Sequence, residues 1–338
     1  MTLTIAVVGA GFMGRLHART VAESDAATLT AIVDVDAQQA ASVAAQFGVR
    51  HFGDTGAALA DDGIDAYIVA LPDTLHEEVT VQLLRAGKPV LVEKPMAHTL
   101  TAARAMAAAA KEGSARLMVG QILRFDPRYA GAAQAVADGQ IGEPLHAKAG
   151  RIASRAVGTR MNGTSSVLFY LGIHDVDAIQ WVTGKPITRV YSRAVSKLMP
   201  SLGVTSEDAI VSTVEFEGGA VGQLFNGWTR TLDNPVGIDG RLEVFGTEGV
   251  VEIDVRDHGL KLYAKSGYQL PDGLHWPEVN GRIRGDLSAE VSHFARAVVD
   301  GSPFVVPLEA AMRNVAVNDA ILRSVDSGRP EDVETVAV

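Results

Sequence analysis

Three glycines near the N-terminus have the spacing of a phosphate-binding turn. Residues 9–14 read Gly-Ala-Gly-Phe-Met-Gly, and they lie between a β-branched apolar run at residues 3–8 and a helix-forming stretch. A strand, a G-x-G-x-x-G turn and a helix together predict a dinucleotide-binding site. Gly9 would allow the tight turn, Gly11 would leave no Cβ between the backbone and a pyrophosphate, and Gly14 would let the helix approach the strand. The N–H groups at the start of the helix would face the phosphates.

An acidic residue follows at the distance that such a site requires. A second apolar run, residues 29–33, ends in Asp34, which lies 20 residues after Gly14. A carboxylate there accepts hydrogen bonds from the adenosine ribose and repels a 2′-phosphate, and neither Val35 nor Asp36 is an arginine that could hold one. The sequence therefore favours NAD over NADP. The alternative is an ordinary α/β turn followed by a surface aspartate.

Length and composition narrow the class of protein. The chain has 338 residues, enough for about two domains, with 47% hydrophobic and 21% charged residues, which is typical of a globular protein. A net charge of −10 argues against nucleic acid or an anionic membrane as partner, and no apolar run reaches the length of a membrane span. The absence of cysteine excludes disulfides and thiolate metal sites. The first strand leaves no room for a signal peptide, so we expect a cytoplasmic protein.

Alternating strands and helices position the glycine turn. Up to about Gly120 the pattern predicts six nearly continuous apolar strands separated by helices, which is typical of a doubly wound parallel Rossmann sheet. One of these helices is predicted over residues 74–86, with Thr74 as its N-cap and Glu77 completing a capping box. We assign residues 1–122 to an NAD-binding Rossmann domain. Its ligands would lie at the carboxyl ends of the strands.

The pattern changes after residue 122. Period-2 strands dominate, with one helix near residues 167–183, hairpin turns at residues 217–219 and 246–249, and two closing helices near residues 287–299 and 308–325. This predicts an α+β second domain over residues 123–338, built on a large, mostly antiparallel sheet. We assign substrate binding and oligomerisation to it, and the last helix could pack back on the first domain. The histidines at positions 146, 258 and 293 match no ligand spacing, so no metal site is predicted.

Several separated motifs match one family in order. They are the glycine turn, Leu-Pro-Asp-Thr-Leu-His at residues 71–76, Ala-Gly-Lys-Pro-Val-Leu-Val-Glu-Lys-Pro at residues 86–95, Arg-Phe-Asp-Pro at residues 124–127, Ile-Gly-Glu-Pro at residues 141–144, and Gly-Ile-His-Asp-Val-Asp at residues 172–177. The chain resembles the Gfo/Idh/MocA oxidoreductases, which include inositol and sugar dehydrogenases. The resemblance covers essentially the whole chain.

The resemblance implies hydride transfer between a ring secondary alcohol and NAD, with Lys94 beside the nicotinamide and the reacting hydroxyl and His174 as the proton-transfer group. The chemistry agrees, because oxidation of an alcohol needs a base for the O–H proton, and an amine can stabilise the developing alkoxide. The alternatives are a solvated surface Lys94 and a structural His174. Asp177 shares a helical face with His174 and could orient it or have a structural role.

One position departs from the family. Inositol-type members usually have an aspartate four residues before the histidine, and this chain has Tyr170 there. A phenol is a weak base at neutral pH because its ordinary pKa is about 10. Either His174 is the base with help from Lys94, or Tyr170 joins a proton relay, or Tyr170 only packs.

The resemblance also nominates binding residues, listed here by role. We expect the cofactor to contact Gly9, Gly11, Phe12, Met13, Gly14, Asp34, Leu71, Pro72, His76, Glu93, Lys94 and Gln121. We expect the substrate to contact Lys94, Arg124, Arg151, Arg155, Tyr170, His174 and Trp228, with Arg160 in the same loop as Arg155. Several arginines favour an acidic or highly hydroxylated substrate, unless they are solvated surface charges.

The sequence therefore predicts an NAD-dependent dehydrogenase for a ring alcohol of a sugar, sugar derivative or inositol. Two other functions remain open: an NAD-dependent glycosidase or eliminase that oxidises its sugar transiently, and a non-catalytic NAD-binding sensor. Family members often pair through the second sheet, so the resemblance implies a homodimer or homotetramer.

Overall fold

The structure is a computed structural model that describes residues 2–231, 237–256, 258–265 and 267–336. The strands are β1 (Leu3–Val8), β2 (Ala27–Val33), β3 (Arg50–Phe52), β4 (Ala66–Val69), β5 (Val90–Glu93), β6 (Leu117–Gly120), β7 (Pro144–Ser154), β8 (Ile187–Val195), β9 (Ala209–Phe216), β10 (Val221–Arg230), β11 (Ile238–Gly246), β12 (Val250–Asp254), β13 (Leu262–Ala264), β14 (Gly267–Gln269), β15 (Glu278–Val279), β16 (Arg282–Ile283) and β17 (Glu331–Asp332).

The helices are α1 (Phe12–Ala22), α2 (Ala37–Phe47), α3 (Thr55–Leu59), α4 (His76–Arg85), α5 (Leu100–Glu112), α6 (Pro127–Ala137), α7 (Arg155–Met161), α8 (Ile173–Thr183), α9 (Leu198–Ser201), α10 (Asp286–Asp300) and α11 (Leu308–Ser327). The elements form two compact units. The first contains the chain up to Phe125 together with Leu274–Met312, and the second contains Asp126–Gly273 and Arg313–Val336. No helix in the described part of the chain is long and apolar enough to cross a membrane.

The first unit is the predicted doubly wound parallel sheet. Its six strands are ordered β3-β2-β1-β4-β5-β6, and every neighbouring pair is parallel. The central strands β1 and β4 are almost wholly buried because helices cover both faces of a parallel sheet. Helix α10, which lies far along the chain, packs on α1 and β1. Because all six strands are parallel, the carboxyl ends of β1, β4, β5 and β6 lie at one edge of this sheet.

The second unit is built on a seven-stranded sheet ordered β12-β11-β7-β10-β9-β8-β17. The pairs are antiparallel except β7 with β10, which run parallel, so the predicted mostly antiparallel sheet is confirmed with one exception. Both predicted hairpin turns occur, and Gly218 and Gly219 adopt positive φ angles of 84° and 90°. Helix α8 covers one face of the sheet by packing on β7 and β11.

Two local predictions differ from the structure, and two short helices were not predicted. The helix predicted from Thr74 begins as a 3-10 turn over Asp73–Leu75, and α4 starts at His76 without a side-chain cap, so the capping box is wrong. The helix predicted from residue 167 opens with a π-helical turn, Leu168–Gly172, before α8. The short helices α7 and α9 were not predicted, because propensity is weak evidence over four to seven residues.

Candidate active site

The glycine turn has the close contacts that its sequence requires. Gly9 has a φ of +100°, and a Cβ on it would stand 2.4 Å from the carbonyl oxygen of Ala70 at the end of β4. A Cβ on Gly14 would stand 1.8 Å from the carbonyl oxygen of Gly9, which is well inside any atomic contact. The turn therefore packs against both β4 and the first turn of α1, and only glycine fits at these two positions.

The same turn leaves the space that a dinucleotide needs. A Cβ on Gly11 would meet no atom within 4 Å among the described residues, and Gly11 is the N-cap of α1 with no side-chain hydrogen bond. The Asp34 carboxylate accepts hydrogen bonds from the backbone N–H of Ala10 at 2.7 Å and of Asp36 at 2.9 Å. The first of these bonds joins the glycine turn to the end of β2. An open backbone cradle, a helix N-terminus and a carboxylate at the end of β2 fit the phosphates and ribose of NAD.

His76 ties together two of the strand ends. Its buried ring lies between the carbonyl oxygens of Pro95, 2.8 Å from Nδ1, and of Leu71, 3.0 Å from Nε2. Burial lowers the pKa of His76, and the two carbonyl oxygens, which favour the protonated ring, oppose this shift only in part. The predicted cofactor contact thus also fixes the loop that carries Lys94, whose peptide bond to Pro95 is cis.

Lys94 follows β5 beside a largely buried carboxylate, Glu93. Glu93 Oε1 lies 2.7 Å from Nε2 of the buried His17 on α1, and Glu93 Oε2 accepts the backbone N–H of Lys94 at 3.1 Å. Burial raises the pKa of Glu93, but the His17 hydrogen bond and the positive charge of Lys94 outweigh it, so the pKa is below its ordinary value. A carboxylate therefore stands next to the candidate catalytic amine. His17 was not predicted as a site residue, although it lies one turn after Gly14 on the buried face of α1, which is a signal that the sequence carries.

In the second unit, Tyr170 lies in the π turn and His174 in the first turn of α8. Arg160 Nη2 donates to the phenol oxygen of Tyr170 at 3.1 Å, and the Tyr170 ring packs at 5.9 Å, centroid to centroid, on the ring of Trp228. Gly172 allows the π turn to approach β10, because a Cβ there would stand 2.9 Å from Oδ1 of Asn226. π turns of this kind are frequent at functional sites.

A buried polar cluster supports this helix. Asp175 accepts from Asn226 Nδ2 at 2.6 Å and pairs with Arg151 Nη2 at 3.4 Å. Burial raises the pKa of Asp175 even though Arg151 opposes the shift. Asp177 accepts from Asn314 Nδ2 at 2.8 Å in the same interior. These contacts give Arg151 and Asp177 roles in positioning α8.

The remaining nominated residues differ in exposure. Phe12 is 71% exposed, and its ring makes an edge contact with the ring of Trp276. Met13 and Leu71 are half-buried, and Pro72 is exposed. Gln121 and Arg124 are buried after β6, and Arg124 Nη1 donates to the Val305 carbonyl at 3.1 Å. Trp228 is fully buried and donates to the Glu207 carbonyl at 2.8 Å, whereas Arg155 is half-buried on α7.

Comparison with protein-family models identifies the chain. Residues 3–121 match the model of an oxidoreductase family with an NAD-binding Rossmann fold, and residues 129–252 match the GFO/IDH/MocA C-terminal domain. The chain belongs to the GFO/IDH/MocA oxidoreductase family. It therefore has the NAD-binding Rossmann fold for which the glycine turn and Asp34 provide the local geometry.

Individual relatives span the whole chain. The chain is 32% identical to inositol 2-dehydrogenase 1 of Saccharopolyspora erythraea, over 99% of this chain and 97% of that protein. It is 29% identical to scyllo-inositol 2-dehydrogenase (NAD(+)) of Bacillus subtilis, over 97% of this chain and 96% of that one. Among solved structures, GenD2 from gentamicin A biosynthesis, in complex with NAD, matches with 29% identity and a TM-score of 0.88, over 99% of this chain and 97% of GenD2.

Proposed function

We propose that the protein oxidises a ring secondary alcohol of an inositol or a related sugar with NAD. The observation that carries the proposal is Lys94, placed at the carboxyl end of β5 on the sheet edge that also carries the NAD-type glycine turn. Family membership and the full-length similarity to inositol 2-dehydrogenases support the substrate class.

The first unit handles the charge at the reacting oxygen. The glycine turn and Asp34 would hold NAD, which would supply the acceptor for the hydride that leaves the ring carbon. The Lys94 ammonium stabilises negative charge that develops on the alcohol oxygen. Glu93, held by His17, supplies a negative charge close to Lys94. His76 contacts the backbone carbonyls of Leu71, after β4, and of Pro95, after β5.

The second unit handles the proton. His174 takes the hydroxyl proton as general base, a role that suits an imidazole near neutral pH. Tyr170 replaces the aspartate usual in inositol-type members, and its phenol oxygen accepts a hydrogen bond from Arg160. We assign the Tyr170 oxygen as the second proton-handling group, held in place by Arg160. Arg155 and Arg160 direct the substrate class toward highly hydroxylated or acidic rings.

The uncovered face of the second sheet supports a homo-oligomer. Tyr191 on β8, Val211 on β9 and Phe225 on β10 lie on one face of the sheet and are between 40% and 44% exposed in the single chain. A row of apolar side chains on an open sheet face is typical of an interface with another subunit. We therefore assign this face to a dimer or tetramer contact.

NADH absorbance with the purified protein tests the proposed function. The panel contains myo-inositol, scyllo-inositol, hexoses, uronic acids, glycosides and nucleotide sugars, each with NAD and with NADP. We expect NADH from at least one inositol or sugar, a loss of at least about 100-fold in kcat for His174→Ala and Lys94→Ala, and a smaller loss for Tyr170→Phe. Release of an aglycone without net NADH would favour the glycosidase, and NAD binding with no turnover on any compound would favour the sensor.

A further inference from the structure

Glu207 holds the start of the helical segment that carries Tyr170. Its Oε1 accepts a hydrogen bond from Ser166 Oγ at 2.7 Å and another from the backbone N–H of Val167. Ser166 Oγ in turn accepts the N–H of Leu168 at 3.1 Å, so two side chains satisfy the first N–H groups of this segment. Glu207 follows Ser166 by 41 residues. A carboxylate that is distant in the sequence therefore caps the π turn, and its charge has the favourable sign for that end of a helix.

The same residue fixes the surface against which the Tyr170 ring packs. The indole N–H of the fully buried Trp228 donates to the backbone carbonyl of Glu207 at 2.8 Å. The ring centroids of Tyr170 and Trp228 lie 5.9 Å apart, and the two rings are tilted by 45°. Helix α7 also packs closely on the indole, because a Cβ on Gly158 would stand 2.9 Å from Trp228 Cγ. The indole consequently has little room to move.

Tyr170 is thus connected to Glu207 by two routes. Its backbone N–H donates to the carbonyl of Ser166 at 3.1 Å, and the Glu207 carboxylate holds the Ser166 hydroxyl. Its ring packs on Trp228, and the Glu207 carbonyl holds the Trp228 indole. The phenol oxygen is fixed separately by Arg160. One residue therefore determines both where the Tyr170 backbone begins its turn and where its ring can lie.

His174 has supports of its own. It lies one turn after Tyr170, and the next residue, Asp175, is held by Arg151 on β7 and Asn226 on β10. The end of a helix frays first when its cap is lost, because its N–H groups have no partner within the helix. A change at Glu207 is therefore expected to loosen the π turn while α8 stays in place.

We propose that Glu207 is a positioning residue for Tyr170: through Ser166 and Trp228 it holds the phenol where that group takes part in the proton transfer. The inference rests on the proposed role of Tyr170 in the reaction. If Glu207 acts only through this phenol, its contribution to turnover must vanish once the phenol oxygen is removed. Tyr170→Phe removes that oxygen and keeps the ring.

Hydrogen–deuterium exchange of the cofactor-free protein tests whether Glu207 holds the π turn. Glu207→Ala removes the acceptor of Ser166 Oγ and of the Val167 N–H, so a peptide over residues 166–172 should exchange about three- to tenfold faster than in the wild type. A peptide over residues 175–183 should exchange as in the wild type. Glu207→Gln retains a carbonyl oxygen and should restore most of the protection. Equal exchange of the first peptide in Glu207→Ala and the wild type would overturn the inference.

A double-variant cycle in kcat tests whether this hold serves the reaction. NAD is used with the compound of the panel that yields most NADH. Glu207→Ala should lower kcat at least about threefold, by no more than Tyr170→Phe does, and by less than about twofold in the Tyr170→Phe background. KM for NAD should change little, and Glu207→Gln should recover most of kcat.

Asp54 provides a matched control in the first unit. Its carboxylate accepts the N–H of Ala57 at 2.8 Å and so caps α3. Asp54→Ala removes an acidic helix cap of the same kind, and it should leave kcat unchanged with either residue at position 170. A loss of kcat in Asp54→Ala as large as that in Glu207→Ala would show that a missing cap acts through general loosening, and the inference would fall.

The remaining outcomes separate the inference from the proposed function. Equal fold losses for Glu207→Ala in the two backgrounds would overturn the inference and leave Glu207 as a helix cap alone. Full kcat in Tyr170→Phe would remove the role of Tyr170 and the inference with it, whereas loss of turnover in Lys94→Ala would retain the proposed function. If the wild type forms no NADH with any compound, the proposed function falls and takes the catalytic part of the inference with it.

Discussion

Removing one member of the Arg151–Asp175 pair is expected to destabilise the second unit strongly. The two charges lie 3.4 Å apart, and the side chains are 4% and 1% exposed. At an effective dielectric constant of about 20, their attraction at this distance is about 5 kcal/mol. Breaking a buried pair costs about 3–5 kcal/mol, because the remaining charge stays buried. Asp175→Leu also removes the acceptor that Asn226 uses, so we expect a loss of about 4 kcal/mol in the free energy of unfolding.

Urea denaturation of single and double variants measures this energy. Arg151→Met with Asp175→Leu removes both charges and should recover most of the stability that Asp175→Leu loses. The control is the exposed ion pair between Lys148 on β7 and Glu243 on β11, which lie 3.1 Å apart. Glu243→Gln should cost less than about 1 kcal/mol of the free energy of unfolding. A loss of under about 1 kcal/mol in Asp175→Leu, or a double variant no more stable than the worse single variant, would refute the buried-pair argument.

Two further predictions concern the NAD site. Gly14→Ala places a methyl group 1.8 Å from the Gly9 oxygen and should lower the free energy of unfolding by at least about 2 kcal/mol. In Gly11→Ala the new methyl group meets no atom, so this variant should melt like the wild type but bind NAD more weakly in calorimetry. Equal stability of the two variants would contradict the packing account. Asp34→Asn retains an oxygen for the Ala10 N–H but loses the charge that repels a 2′-phosphate, so the ratio of kcat/KM for NADP over NAD should rise about tenfold, and an unchanged ratio would refute the role of that charge.

The first unit could be predicted closely because its signals are local. Each of the six strands is a short apolar run bounded by turn residues, and the glycine turn and Asp34 are fixed by spacing along the chain. The Thr74 capping box failed because a 3-10 turn precedes α4, which a match of residue types does not reveal. The parallel pairing of β7 with β10 could not be predicted from the sequence, because side chains alternate in the same way in parallel and antiparallel strands.

The long-range contacts of the two units could not be predicted. Glu290 on α10 is 1% exposed and follows Glu93 by almost 200 residues, and its sequence pattern is that of any polar residue in an amphipathic helix. Only the return of α10 to the first unit brings it to the end of β5. Similarly, Arg151 was nominated as a substrate contact because of its strand, and its partner Asp175 lies on a helix whose approach depends on Gly172 and Asn226. Long-range packing determines which charges are paired.

The central claim is that a hydride passes from a ring carbon to NAD and that Lys94 and His174 serve that step. A direct test is to incubate the protein with NAD and with inositol that carries deuterium on its ring carbons. The mass of the NADH formed is then measured by mass spectrometry. We predict one deuterium in the NADH formed by the wild type and no detectable deuterated NADH with Lys94→Ala or His174→Ala. NADH without deuterium, or transfer at the wild-type rate in either variant, would contradict the account.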